Sequence, residues 1–241
     1  MLGLGNSLYS EGSQLEVSFS NSYSMNFDGT NDFIEVDSVA SDINKNTGTI
    51  SFWMNLPDVT ATGFVFRAQE GTAGSTDNIV QMIYHNATTQ MRISYKGGGS
   101  TKTAYIGDGA ADIEGQGWKH FVGTWDTTAD EIKIYMDGSL VDTTTGLTAH
   151  DAGLDNADIG RNTGSGAAPL KANIDELAVF NTVVSASDLY NGGVVHDLST
   201  KSGLVAYWRF EEGSGTSATD SSGNGHTGTI SGATYWSDSL P

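Results

Sequence analysis

The sequence predicts an all-β fold, a two-sheet antiparallel sandwich of the jelly-roll kind. Three observations predict it. Apolar and polar residues alternate with period two along most of the chain, as in strands with one face on a core. Turn-forming pairs such as Asp28-Gly29 and Asp137-Gly138 punctuate these runs, and short strands spaced ~8–12 residues apart by such signals mark sandwiches and jelly rolls. Helical periodicity is nearly absent, with one short helix expected at 185–191.

The elements follow in order. Leu15, Val17 and Phe19 alternate with polar neighbours, and so do Tyr23, Met25 and Phe27. Ile50, Phe52 and Met54 share one face, with Ser51, Trp53 and Asn55 on the other. Ile79-Val80-Gln81-Met82-Ile83-Tyr84 is apolar on both faces, which suits a strand covered on two sides. Alternation returns at Met91, Ile93 and Tyr95 and at Ile132, Ile134 and Met136. Asp137-Gly138 then leads into Leu140-Val141; Asp-Gly supplies the two positive-φ residues of a type I′ hairpin turn. Gly97-Gly98-Gly99, Asp108-Gly109 and Gly164 to Gly166 mark further turns. Ile174, Glu176, Ala178 and Phe180 oppose Asp175, Leu177 and Val179. Ser185 opens the helix as N-cap, with Asp188 at the capping-box position, and Gly192-Gly193 stops it. Residues 1–20 read as an N-terminal arm, 21–203 as the sandwich and 204–241 as a further β segment.

Composition narrows the function. The 241 residues carry 11 Lys+Arg against 29 Asp+Glu, a formal charge of −18. So few bases leave no positive footprint for nucleic acid. No apolar run reaches the ~18–20 residues of a membrane helix, and residues 1–20 lack the basic and apolar regions of a signal peptide. With zero Cys, disulfide scaffolds and thiolate metal sites are excluded.

Enzyme signals are weak. A β-glucanase on this scaffold would carry acids at alternate positions of one strand, so that nucleophile and acid share a face. No such run occurs: Asp126, Asp130 and Glu131 have turn spacing, and Glu211-Glu212 are adjacent. The five histidines (85, 120, 150, 196 and 226) are scattered. Oxygen ligands for a hard cation such as Ca²⁺ are better supplied. Asp28-Gly29-Thr30-Asn31-Asp32 and Asp220-Ser221-Ser222-Gly223-Asn224-Gly225 each gather carboxylate, carboxamide and carbonyl in one loop; the same residues also dominate ordinary turns. Asp175 lies inside an apolar strand, where an acid needs a partner or a metal. For a sugar-stacking role there are Trp53, Trp118, Trp125, Trp208 and Trp236; Trp236, beside Tyr235 in a turn-rich end, is the one expected to be exposed.

These segments carry a resemblance. Ser24 to Val36 around Phe27-Asp28-Gly29, Thr49-Ile50-Ser51-Phe52-Trp53-Met54, Gly117 to Asp126 around Trp118-Lys119-His120, Lys133 to Gly138, and Ile174 to Phe180 with the Ser185 helix stand in the order found in laminin-G-like, concanavalin A-like jelly rolls, and the chain resembles that family over about residues 23–191. The resemblance implies a two-sheet sandwich and, in many members, a structural Ca²⁺ held by Asp28 or Asp32, the Gly29 carbonyl and Asp175. One segment departs from the pattern. Gly203 to Gly215 and Thr219 to Ile230 resemble the family's opening strand and loop, yet here they follow the helix. The chain therefore looks circularly permuted, closing its own sandwich, or donates this segment to a neighbour in a homo-oligomer.

A looser resemblance, to virion structural proteins of tailed phages, implies display outside a cell on a virion surface. The expected function is a non-enzymatic structural and binding module, a capsid decoration or fibre protein with weak carbohydrate binding and a structural Ca²⁺. The alternatives are a glycan-active hydrolase on the same scaffold and a ligand-free decoration protein.

Overall fold

The computed structural model describes residues 19–57, 61–71, 78–107, 113–163, 165–237 and 240–241. In chain order the strands are β1 (Ser24–Asp28), β2 (Phe33–Glu35), β3 (Thr47–Asn55), β4 (Gly63–Gln69), β5 (Ile79–His85), β6 (Gln90–Gly97), β7 (Ser100–Ile106), β8 (Trp118–Asp126), β9 (Glu131–Met136), β10 (Ser139–Thr145), β11 (Asn156–Ile159), β12 (Lys171–Phe180), β13 (Leu204–Trp208), β14 (Ser217–Ala218), β15 (Gly228–Ser231) and β16 (Thr234–Trp236). They form two sheets. Sheet A runs β10-β9-β8-β3-β12-β1-β16, with β13 also on β12; sheet B runs β14-β15-β2-β11-β4-β5-β6-β7. The pairings between these strands are antiparallel. The fold is an all-β sandwich, as the alternation predicts.

The alternation sorts the side chains. Phe27, Phe52, Phe121 and Trp125 of sheet A and Ile34, Phe66, Met82 and Tyr95 of sheet B meet in one buried core. The Asp137-Gly138 turn has both residues at positive φ, 48° and 76°, as a type I′ hairpin requires. Helix α2 (Ala186–Tyr190) is capped by the Ser185 hydroxyl, which accepts from the Asp188 amide at 3.4 Å. Asn191, at φ 49°, takes the left-handed position at its end, one residue before the expected Gly192. A helix this short is stable only when docked. Ala186 and Leu189 pack on Val122, Ala178, Phe180 and Tyr207, covering one end of the outer face of sheet A. A second helical turn, α1 (Asp37–Ala40), has no periodic signal in the sequence.

Two expectations need correction or completion. In β12 the expected alternation breaks. Ile174, Leu177 and Val179 face the core, while Ala178 and Phe180 face α2. The register against β3 shifts between Asp175 and Ala178, and Glu176 sits at φ 51°. A bulge of this kind inserts an unpaired residue and flips the phase. It lies where one edge of β12 passes from β1, paired up to Ile174, to β13, paired from Leu177.

The segment after residue 203 closes the sandwich within the same chain. β13 extends the edge of β12, β15 pairs with β2, and β16 pairs with β1. Trp208 is fully buried, and its indole N–H donates to the His226 carbonyl at 2.8 Å. Of the N-terminal arm only Phe19 and Ser20 are described; Leu15, Val17, Asp108, Gly109 and Gly164 lie outside the described residues.

Candidate functional site

The end of sheet A that α2 leaves uncovered presents a regular grid of outward side chains. One row, read through the strand register, is Trp118 (β8), Asn55 (β3), Asn173 (β12), Asn26 (β1) and Thr234 (β16). Directly opposed residues in antiparallel strands share a face, so these five point the same way. Asp28 pairs with Lys171 two residues along on the same face. In the other direction stands Trp236, opposite Ser24, and then a ring cluster of the buried Trp53 and His120 with the half-buried Tyr190, the Trp53–His120 centroids 5.0 Å apart.

A cavity of about 300 Å³ opens on this grid, lined by Asn26, Asp28, Pro57, Lys171, Asn173 and Trp236. Trp236 is 41% exposed, as the sequence suggests. An indole left this open presents a flat apolar face with a polar N–H. Asn26 donates to Asn173 Oδ1 at 2.5 Å. That bond uses one N–H of Asn26 and one lone pair of Asn173 Oδ1, and leaves the Asn26 Oδ1 acceptor, its second N–H and both N–H groups of Asn173 outside the pair. Lys171 and Asp28 add a cationic donor and an anionic acceptor. The cleft is small and amphipathic, with an apolar wall and a polar floor.

The other residues singled out in the sequence fall elsewhere. Tyr235 alternates with Trp236, so it turns inward. Its ring packs on the core and stands edge-on to Tyr23, and its hydroxyl donates to the Ser217 carbonyl at 2.8 Å. It lines no part of the cleft, and the expectation that it joins Trp236 in ligand binding is corrected.

The implied Ca²⁺ ligand set is not assembled. Asp28 is opposite Lys171, four residues from Asp175 along β12, which places the two acids about 13 Å apart at strand rise. Ca²⁺ needs its oxygens within ~2.3–2.6 Å of the ion. Asp28 Oδ1 accepts from the Thr30 amide at 2.7 Å, and Asp32 Oδ2 from the Asp28 amide at 2.8 Å. With Gly29 at φ 85°, this is a self-closed turn. Asp32 is buried against Gly232, and burial pushes its carboxyl above the usual range.

Asp220 spends both oxygens on four donors, the Tyr207, Ser222 and His226 amides and the Ser222 hydroxyl, at 2.8–3.0 Å. Asn224 donates to the Leu204 and Val205 carbonyls. Both residues therefore lock the loop onto β13. Among the described residues no group of three His, Cys, Asp or Glu is placed to hold a metal.

Asp175 is fully buried at the bulge, as an acid inside an apolar strand threatens to be, and its partners are protein groups. It accepts from Asn21 Nδ2 and from the Glu176 amide, each at 2.9 Å. Glu176 accepts from the Tyr207 hydroxyl and from Arg209, whose Nε is 3.4 Å away. Burial drives both carboxyls up, Glu176 to about 9 and Asp175 well above its ordinary value; Asp175 and Glu211 raise Glu176 further, and Glu211 raises Asp175. Glu211 in turn accepts from the Ser22 and Tyr23 amides. These acids clasp the segment before β1 onto the sheet.

The comparisons with known proteins agree with this architecture. A family model described as the concanavalin A-like lectin/glucanases superfamily matches residues 28–189. The chain belongs to this superfamily. Among solved structures, the superfamily member described here is similar to a candidate carbohydrate-binding protein from Bacteroides ovatus, with TM-score 0.68 and 18% identity over 91% of this chain. It spans 60% of that protein's length. It is also similar to the carbohydrate-binding module (CBM40) of the Ruminococcus gnavus IT-sialidase bound to α2,3-sialyllactose, with TM-score 0.58 and 18% identity, covering 70% of this chain and 95% of the other. A third similar structure is a heptameric SAP-like pentraxin from Limulus polyphemus, with TM-score 0.54 and 14% identity over 74% of this chain and 84% of the other. No curated protein sequence matches.

These likenesses show the fold of a lectin-like carbohydrate-binding module. The looser resemblance to virion proteins finds no support in them. Of the residues that line the cleft, the sequence singles out Trp236 and Asp28 but not Asn26, Lys171 and Asn173. Their only signal is a polar residue at every second position of an amphipathic strand.

Proposed function

We propose that the protein is a non-catalytic carbohydrate-binding module and that the Trp236 cleft is its binding site. The observation that carries the reading is the exposed indole beside the Asn26–Asn173 amide pair in a cavity of about 300 Å³. That volume is at the small end of ligand pockets. A pyranose ring has an apolar face that covers an indole and an equatorial rim of hydroxyls that each donate and accept. The free amide acceptor and donor, Lys171 and Asp28 match such a rim.

The charge pattern favours neutral sugars. Among the described residues Lys171 is the cleft's one cation and stands beside Asp28, and the whole chain at −18 repels anions. Hydrolysis is disfavoured because glycoside cleavage uses two carboxyl groups, and among the described residues Asp28 is the one acid lining the cleft. The likeness to carbohydrate-binding relatives supports the same class. A glycan array carrying neutral and sialylated oligosaccharides tests the proposal, with reducing-sugar release followed in parallel. Retention of neutral glycans without release is expected. An empty array would refute it, and sugar release would establish the hydrolase reading instead.

A further inference from the structure

A second cavity, of about 270 Å³, opens on the other side of the Asp28–Asp32 turn. Thr30, Asn31, Phe33, Arg161, Pro169 and Ser231 line it. Phe33 and Ser231 are directly opposed on β2 and β15, and the next pair, Ile34 and Ile230, lies in the core. Phe33 and Ser231 therefore share the outer face of sheet B. Gly160, at φ 93°, turns the chain out of β11; a Cβ there would stand 2.4 Å from the Phe27 ring. The turn carries Arg161 over Phe33, its guanidinium carbon 3.2 Å from the ring centroid.

Arg161 is held in place from a second side. Its Nε and Nη2 donate to the two oxygens of Asp158 at 3.0 and 3.2 Å, and Asp158 is 1% exposed. A guanidinium carries five N–H groups in a fixed fork, and Asp158 takes one edge of it. The adjacent edge, formed by Nη1 and the second hydrogen of Nη2, has no partner among the described residues. Stacked on a ring and clamped by a buried acid, these donors are oriented before any ligand arrives. The Thr30 and Ser231 hydroxyls and the Asn31 amide add groups that both donate and accept. Pro169 and Phe33 supply apolar walls.

Charge decides what fits. Asp158 balances Arg161, and Glu35 stands directly opposite Asp158. A carboxylate or phosphate would leave this corner negative on a chain of −18. A neutral planar acceptor carries no such cost. An acetamido group has the right parts: its carbonyl accepts from the open guanidinium edge, its N–H donates to a rim oxygen, and its methyl packs on the apolar wall. A peptide amide has the same polar atoms but continues on both sides, and β2 lies between β15 and β11 with no free ladder for an added strand.

We propose that this cavity recognises the acetamido group of an N-acetylated aminosugar. The choice of a sugar as the carrier rests on the reading of the Trp236 cleft; the cavity itself is separate. Asp28 of the cleft and Thr30 of the cavity are two residues apart, as are Lys171 and Pro169, so the Asp28–Asp32 turn is the wall between the two.

The test is titration of the isotope-labelled full chain with N-acetylglucosamine, N-acetylgalactosamine, glucose, galactose and the peptide mimic N-acetylalanine methylamide, followed by backbone amide chemical shifts. The N-acetylated sugars are expected to move the Asn31, Phe33, Arg161 and Ser231 amides and to bind about tenfold or more tightly than their parent sugars, the scale of one well-placed contact. Arg161→Lys, which keeps the charge and loses the fork, is expected to erase that preference. Ser231→Ala, at an exposed position, is expected to weaken it and serves should the lysine variant fail to fold. Trp236→Ala is expected to leave the shifts in this cavity unchanged, while shifts at Asn26 and Asn173 report the cleft independently. No shift at the cavity residues, equal response to N-acetylated and parent sugars, or variants that keep the preference would overturn the proposal and leave the cleft standing. An equal or stronger response to the methylamide would overturn the sugar assignment in favour of a peptide amide.

Discussion

Glu176 occupies a conformation that few residues other than glycine accept, and its carboxyl is buried beside that of Asp175. The consequence for stability has a definite sign. In the fold Glu176 holds its proton to about pH 9, against an ordinary 4.5. The folded chain therefore binds the extra proton between those values, and the stability it contributes is full below about pH 4.5 and lost as pH rises through 9. Asp175 acts in the same sense. His120 and His150 act oppositely: burial lowers them to about 3 and about 4, so their contribution is present above pH 6.5 and lost on acidification. The melting midpoint should thus pass through a maximum and fall toward alkaline pH. Glu176→Gln, which cannot ionise, is expected to flatten the alkaline fall and to melt several degrees above the parent near pH 9. A parent whose midpoint is level from pH 5 to 9 would contradict the buried pair. Of these residues, Asp175 was legible as an acid out of place in an apolar strand. Glu176 was not, because the bulge that buries it arises where two other strands share one edge of β12.

At the scale of elements, alternation and turn chemistry disclosed strands such as β1, β3, β5, β6 and β9, the Asp137-Gly138 hairpin and α2, because each is specified by neighbouring residues, while β4, β7 and β11 went unread. Register between distant segments is not so specified. Asn26 and Asn173 are 147 residues apart and meet only because β1 and β12 pair, so no local pattern announces the cleft. The Asp28–Asp32 and Asp220–Gly225 loops show the reverse case: Asp, Asn and Gly mimic a cation loop because they close turns by bonding their own backbone. The out-of-order segment was legible as belonging to the sandwich. Its β13, β15 and β16 supply edges to both sheets, and Ala206, Trp208, Phe210 and Ile230 join the core. A chain ending at Gly203 loses these side chains at roughly 1.5–3 kcal/mol for each of the three large ones, a sum comparable with the ~5–15 kcal/mol stability of a typical domain. It is expected to lose its cooperative transition by circular dichroism. A sharp melt of the truncated chain would show that the segment is an accessory.

For the molecule as a whole, the charge of −18 first excludes phosphate-binding partners and then selects among sugars. Neither of its tightest acid turns forms an open cation site, so EDTA is expected to leave the melting midpoint unchanged. A cation at a hundredfold its Kd would add about 2.7 kcal/mol, and a drop of several degrees in EDTA would locate one. A lectin-like sandwich can serve many ligands or none, so the proposed function rests on the surface where, among the described residues, the exposed Trp236 indole stands beside the Asn26–Asn173 amide pair. Trp236 lies on a short edge strand and is 41% exposed, outside the core, so replacing it should spare the fold. The most direct measurement is calorimetric titration of the parent and of Trp236→Ala with a neutral oligosaccharide retained on the array, alongside their melting curves. Loss of about tenfold or more in affinity, ~1.4 kcal/mol, with an unchanged melt is the expected result. Equal affinity in the two proteins would place the binding site elsewhere and contradict the assignment of the cleft.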